Sequence, residues 1–139
     1  MRPNDEPLGQ SLIYRLGVRT GVPLWEDSPA AWHEILPGVH RRILTHGGGV
    51  MMVLYRIAPN STFPMHTHPH LQAGTVLEGG GQFRVGAERW ALRPGSSYSI
   101  PGGVPHELVS DPSGPSVILD VFVPEREDFL PEATGPSRS

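Results

Sequence analysis

From residue 50 onward, apolar positions come in short runs divided by turn residues. The runs are VMMVLYRIA (50–58), AGTVLEG (73–79), GQFRVGA (81–87), RWALRPG (89–95), SYSIP (97–101), HELVS (106–110) and SVILDVFV (116–123). They are rich in Val, Ile, Leu and aromatic residues, and no stretch past residue 45 carries a helical period. Short apolar runs separated by Gly and Pro predict strands, and a chain built this way predicts an all-β sandwich or barrel. The 17 glycines and 16 prolines therefore punctuate a fold rather than dilute it.

Upstream, AAWHEIL (30–36) reads as one helical turn that Pro37 stops, and HGGG (46–49) reads as a hairpin turn leading into VMMVLYRIA. Residues 1–22 are polar and mixed, suited to an arm or an added strand, and PEATGPSRS at the end reads as a frayed tail. The expected organisation is an N-terminal arm (1–36) packing on the barrel, one barrel domain (37–130) and a disordered tail (131–139).

The last run sets up a conflict between pattern and chemistry. In a strand, Ile118, Asp120 and Phe122 share one face, and Val117, Leu119, Val121 and Val123 share the other. Apolar residues on both faces imply a strand covered on both sides. A carboxylate there costs several kcal/mol unless it is paired or used. Two accounts of Asp120 stand: an ion pair with Arg126 or Arg56, or a general acid or base facing the lumen.

Composition narrows the chemistry by what it lacks. The chain has no cysteine and no lysine, since all 11 basic residues are arginine. Disulfides, thiolate ligands, thiol nucleophiles, Schiff bases and a phosphate-loop lysine are thus excluded. A net charge of −3 with a pI near 6.1 offers no basic patch for nucleic acid. No run reaches the roughly 18 apolar residues of a membrane span, and MRPNDEPLGQ has no signal-peptide core. The expected setting is cytoplasmic, away from membranes.

Three motif-like stretches fail on inspection. WHEILP starts like HExxH, but position 37 is proline. No GxSxG elbow accompanies HGGG, which removes an α/β-hydrolase reading. GGGQFRVG does not satisfy GxGxxG, because position 84 is arginine.

PMHTHPHLQ (64–72) places His66, His68, His70 and Gln72 at every second position. On a strand, His66 and His68 project from one face about 6.6–7 Å apart along the backbone. Two imidazoles at that spacing can converge on one divalent ion, with bonds of about 2.0–2.1 Å if it is zinc. By itself the pair is a weak signal, and the plain alternative is two solvated histidines on an edge strand. Pro69 is expected to end the strand, which takes His70 out of phase, while Gln72 begins the next apolar run. A second element follows in GSSYSIPGGVPHELVS, where Gly95, Pro101, Gly103 and His106 fall at the spacing GxxxxxPxGxxH.

Taken together, the two elements resemble the paired motifs of the cupin superfamily. The first motif, G-x5-HxH-x3/4-E-x6-G, is met by His66, His68, Gln72 in the acidic slot and Gly79, with Asn60 in place of the leading glycine. The second is met through His106. The resemblance implies a single-domain double-stranded β-helix, or jelly-roll barrel, holding one metal ion on His66, His68, Gln72 and His106. Glutamine in the acidic slot leaves the ion's charge at +2, which favours polarising a carbonyl or stabilising an enolate. Nitrogen and oxygen donors suit Zn, Mn, Fe, Ni or Co.

Within cupins, HTHPHLQAGTVLEG followed by LDVFVPEREDFL resembles the pectin-degradation (KdgF-type) group, which shows HSHPHEQ and LDVFSPPREDF. That group promotes ring-opening and ketonisation of 4,5-unsaturated uronates. The resemblance implies that Asp120, Phe122 and Arg126 stand beside the metal, with Asp120 moving a proton and Arg126 clamping a carboxylate. The expected function is a metal-dependent isomerase or lyase acting on a small carboxylated, sugar-like or keto compound. Two alternatives remain: an iron-dependent cupin dioxygenase and a non-catalytic small-ligand-binding cupin. A homodimer is expected, because the Val117/Leu119/Val121/Val123 face needs cover that a second copy or the N-terminal arm could supply.

Overall fold

The computed structural model describes residues 30–133. Ten strands run in chain order: β1 His33–Leu36, β2 Val39–Gly47, β3 Val50–Ile57, β4 Thr62–His66, β5 Leu71–Glu78, β6 Gly81–Val85, β7 Glu88–Leu92, β8 Ser97–Ile100, β9 His106–Ser110 and β10 Ser116–Val123. A 3-10 turn follows at Leu130–Glu132. Each of the seven apolar runs forms a strand. They assemble into a six-stranded sheet, β1-β2-β3-β10-β5-β8, and a four-stranded sheet, β4-β9-β6-β7, and the pairs are antiparallel. This is the all-β architecture that the pattern predicts, in the jelly-roll form that the resemblance implies.

AAWHEIL corrects one expectation: it holds a strand rather than a helical turn. Leu36 pairs with Val39 across a turn at Pro37-Gly38, and Gly38 takes φ +77, a conformation that favours glycine. A single helical turn fixes several dihedrals for one hydrogen bond, whereas a ladder against β2 returns a bond for each pairing. β1 thus lies inside the stretch assigned to the arm. Residues 1–29 of that arm, any cover it gives to β10, and residues 134–139 of the tail lie outside the described residues.

The core forms where alternate residues turn inward between the sheets. Val53, Tyr55 and Ile57 of β3, Val76 of β5 and Ile118 and Phe122 of β10 join Phe83 of β6 and Leu108 of β9 in one buried cluster. Each such apolar side chain contributes about 1.5–3 kcal/mol on burial. β10 lies between β3 and β5. Its Ser116/Ile118/Asp120/Phe122 face is buried, while Val117, Leu119 and Val121 are half-buried and Val123 is exposed.

Strand register sets up the site. Asp120 pairs with Gly74 and Gly74 with Tyr98, while Phe122 pairs with Gln72 on the adjacent row. In the other sheet, His66 pairs with His106. β4 ends at His66, before Pro69, so His68 sits in the following loop. The ladder is already disturbed between Phe63 and His66, where Pro64 lacks an N–H to donate.

Candidate metal centre

His66, His68 and His106 each offer a nitrogen, and these atoms lie within 4.8 Å of one another. Each Nδ1–H donates to a backbone carbonyl: His66 to Pro64 at 2.7 Å, His68 to His70 at 3.0 Å and His106 to Val104 at 2.9 Å. A carbonyl only accepts, so these contacts put the proton on Nδ1 and leave the Nε2 lone pairs free, as metal-binding histidines require.

Gln72 closes the set. Its Nε2 donates to Asp120 Oδ2 at 3.0 Å, which turns Oε1 toward His68 Nε2 at 2.8 Å and His106 Nε2 at 3.1 Å. An amide oxygen facing two imidazole lone pairs is an acceptor against acceptors, and a cation relieves it. Protonating the rings is disfavoured, because burial pushes His106 down to about 4 and also lowers His68. The donor set therefore fits a divalent ion held by three imidazoles and an amide oxygen. The described residues bring together all four of the metal ligands expected from the motifs.

Asp120 is buried and accepts from Tyr98 Oη at 2.5 Å and from Gln72. Burial raises its carboxyl to about 7, opposed by the Tyr98 and Gln72 hydrogen bonds. The expected Asp120 ion pair with Arg126 or Arg56 is not seen among the described residues. Uncharged donors occupy the carboxylate instead, and Arg126 pairs with Asp128 at 2.9 and 2.7 Å through Nε and Nη2. The Arg126 guanidinium lies 4.0 Å from the Phe129 ring centre and 5.0 Å from that of Phe122. Phe122 in turn meets His68 edge-on at 5.6 Å.

A cavity of about 100 Å³ joins these groups, with Gln72, His66, His106, Asp120, Phe122 and Arg126 among its walls. Two further wall residues, Tyr98 and Arg41, are ones to which the motif spacing does not point. Tyr98 lies in SYSIP, where the run reads as an ordinary strand. Arg41 on β2 bonds Glu132 at 2.9 and 2.6 Å and stacks 3.6 Å from the Phe129 centre. His70 stands outside the donor set. Its ring is buried against Glu127, and its carbonyl fixes the His68 tautomer.

A family model described as Cupin domain matches residues 53–122. The pectin degradation protein KdgF of Dickeya dadantii (strain 3937) is 32% identical over 105 residues, spanning 75% of this chain and 94% of that protein. The structure of KdgF from Halomonas sp. superposes with a TM-score of 0.68 at 29% identity, covering 72% of this chain and 91% of the other. An RmlC-like cupin from Shewanella frigidimarina NCIMB 400 gives 0.69 at 28% identity, covering 76% and 96%.

Proposed function

From the premise that this chain belongs to the cupin family, we propose that it is a metal-dependent isomerase or lyase for a small carboxylated, sugar-like compound. The observation that carries this reading is one cavity with two kinds of group in its walls: donors for a divalent ion, and the Asp120 and Arg126 side chains. The likeness to pectin degradation proteins of the KdgF kind supports an unsaturated uronate as substrate and ketonisation as reaction.

His66, His68, Gln72 and His106 would hold the ion, which would supply Lewis-acid polarisation of a substrate oxygen. The remaining steps belong to side chains. Arg126 pairs with the substrate carboxylate and fixes its orientation. Asp120, whose carboxyl is raised to about 7 by burial, is poised both to take and to return a proton near neutral pH. Phe122 walls the cavity against His68 and keeps water from the reacting atoms.

The test is ketonisation of a 4,5-unsaturated uronate by the full chain at saturating metal, followed by loss of the conjugated chromophore. Turnover in the wild type and its loss in Asp120→Asn would support the reading. Equal turnover in that variant would remove Asp120 from proton transfer, and inactivity toward unsaturated uronates would remove the substrate assignment. An iron oxygenase would use the same histidines, so oxygen uptake by the Fe(II) form separates the two chemistries.

A further inference from the structure

Tyr98, Gly74 and Asp120 form one cross-strand row over β8, β5 and β10. The middle residue has no side chain, and the flanking two meet above it at 2.5 Å between Tyr98 Oη and Asp120 Oδ1. A Cβ at position 74 would collide with both Asp120 Oδ1 and the Tyr98 hydroxyl. Two residues before Gly74 on the same strand, and so on the same face, Gln72 donates to the other carboxylate oxygen.

The chain of donors has a direction. Ionised, as at pH 8, the Asp120 carboxylate has no proton to donate, so both neighbours must donate to it: Tyr98 through its hydroxyl and Gln72 through its amide nitrogen. The amide oxygen of Gln72 is thereby turned onto His68 and His106. Left to themselves, the two histidine lone pairs would attract the amide N–H₂ instead, and that group would occupy them and repel a cation. We propose that Tyr98 and Asp120, meeting over Gly74, are positioning residues that hold the Gln72 amide in the orientation that binds metal. This rests on the metal-centre reading and is independent of the substrate.

The measurement is Zn²⁺ affinity of the full chain at pH 8, by competition with a chromophoric chelator. In Asp120→Asn the new amide can donate to Gln72 Oε1, which lets the Gln72 N–H₂ turn onto the histidines. Affinity is expected to fall about 10- to 100-fold, the usual effect of losing a group that orients a ligand. Exchanging the roles in Gln72→Glu/Asp120→Asn restores a donor toward position 72 and an acceptor toward the metal, and recovers most of the loss. Lost charge at position 120 is separated from lost direction by histidine ¹⁵N spectra of the metal-free protein. Reversal of the amide moves the Nε2 signals of His68 and His106 toward a hydrogen-bonded acceptor and leaves Nδ1 in place.

Unchanged affinity in Asp120→Asn, a double variant no better than the single one, or static Nε2 signals would each overturn the proposal. A wild type that binds no Zn²⁺ would overturn the metal centre with it. Zn²⁺ binding without turnover would count against the substrate reading alone.

Discussion

His70 Nε2 and Glu127 Oε2 lie 2.9 Å apart, tying the loop that carries His68 to the segment that carries Arg126. The His70 side chain is 4% exposed and that of Glu127 is 72% exposed, so one end of the tie is fixed and the other is at the surface. The hydrogen bond to His70 also holds the Glu127 carboxyl below its ordinary range. Cutting the tie with Glu127→Ala is expected to raise KM with kcat largely kept, because Arg126 is then less well placed for the ground-state complex. Glu127→Gln keeps an acceptor for His70 and should stay near the wild-type KM. Steady-state kinetics of the two variants check this.

Arg126 is expected to act through a planar, charged donor edge. Its removal in Arg126→Ala should cost about 1.5–3 kcal/mol of charge-assisted hydrogen bonding, or roughly 10- to 150-fold in kcat/KM. Arg126→Lys should recover little, because a point charge does not reproduce the guanidinium fork or its stacking on Phe129. Replacing the substrate carboxylate by an amide should erase most of the difference between wild type and Arg126→Ala. A difference that persists with the amide would place Arg126 elsewhere in the reaction.

Stability of the metal-free protein should carry the signature of Asp120. Burial raises its folded-state pKa to about 7 from an ordinary value of 3.8, so the folded state keeps the proton longer than the unfolded state. The penalty is absent below pH about 4, grows as pH rises through the interval to about 7, and is constant above it. Denaturant midpoints of chelator-treated wild type should therefore fall against those of Asp120→Asn between these limits and run parallel beyond them. A gap independent of pH would mean that Asp120 is not buried as a carboxylate.

The legible and illegible parts of the site divide along strand pairing. His66, His68 and His106 sit in local spacings that hold whatever strand lies alongside, and Gln72 is placed by the same motif. Tyr98 acquires its role only through the row Asp120–Gly74–Tyr98, which joins three strands distant in sequence. The single local hint was a glycine inside the apolar run AGTVLEG, where an interior strand glycine marks a close approach by another group. Arg41 gave no comparable hint, because its partner Glu132 is 91 positions away. The fold itself was legible from residue 50 onward, where turn residues bound every run. AAWHEIL is the exception, since so short an apolar segment suits a helical turn and a strand alike.

The most direct test of the account is the metal content of the full chain, purified without added chelator, measured beside His106→Ala prepared in parallel. About one divalent transition-metal ion per chain is expected in the wild type, as a single site of three imidazoles and one amide oxygen would hold. Near-complete loss is expected in the variant, with the fold retained by circular dichroism. A wild type free of metal that also fails to take up Zn, Mn, Fe, Ni or Co, or a His106→Ala protein that holds as much metal as the wild type, would contradict it.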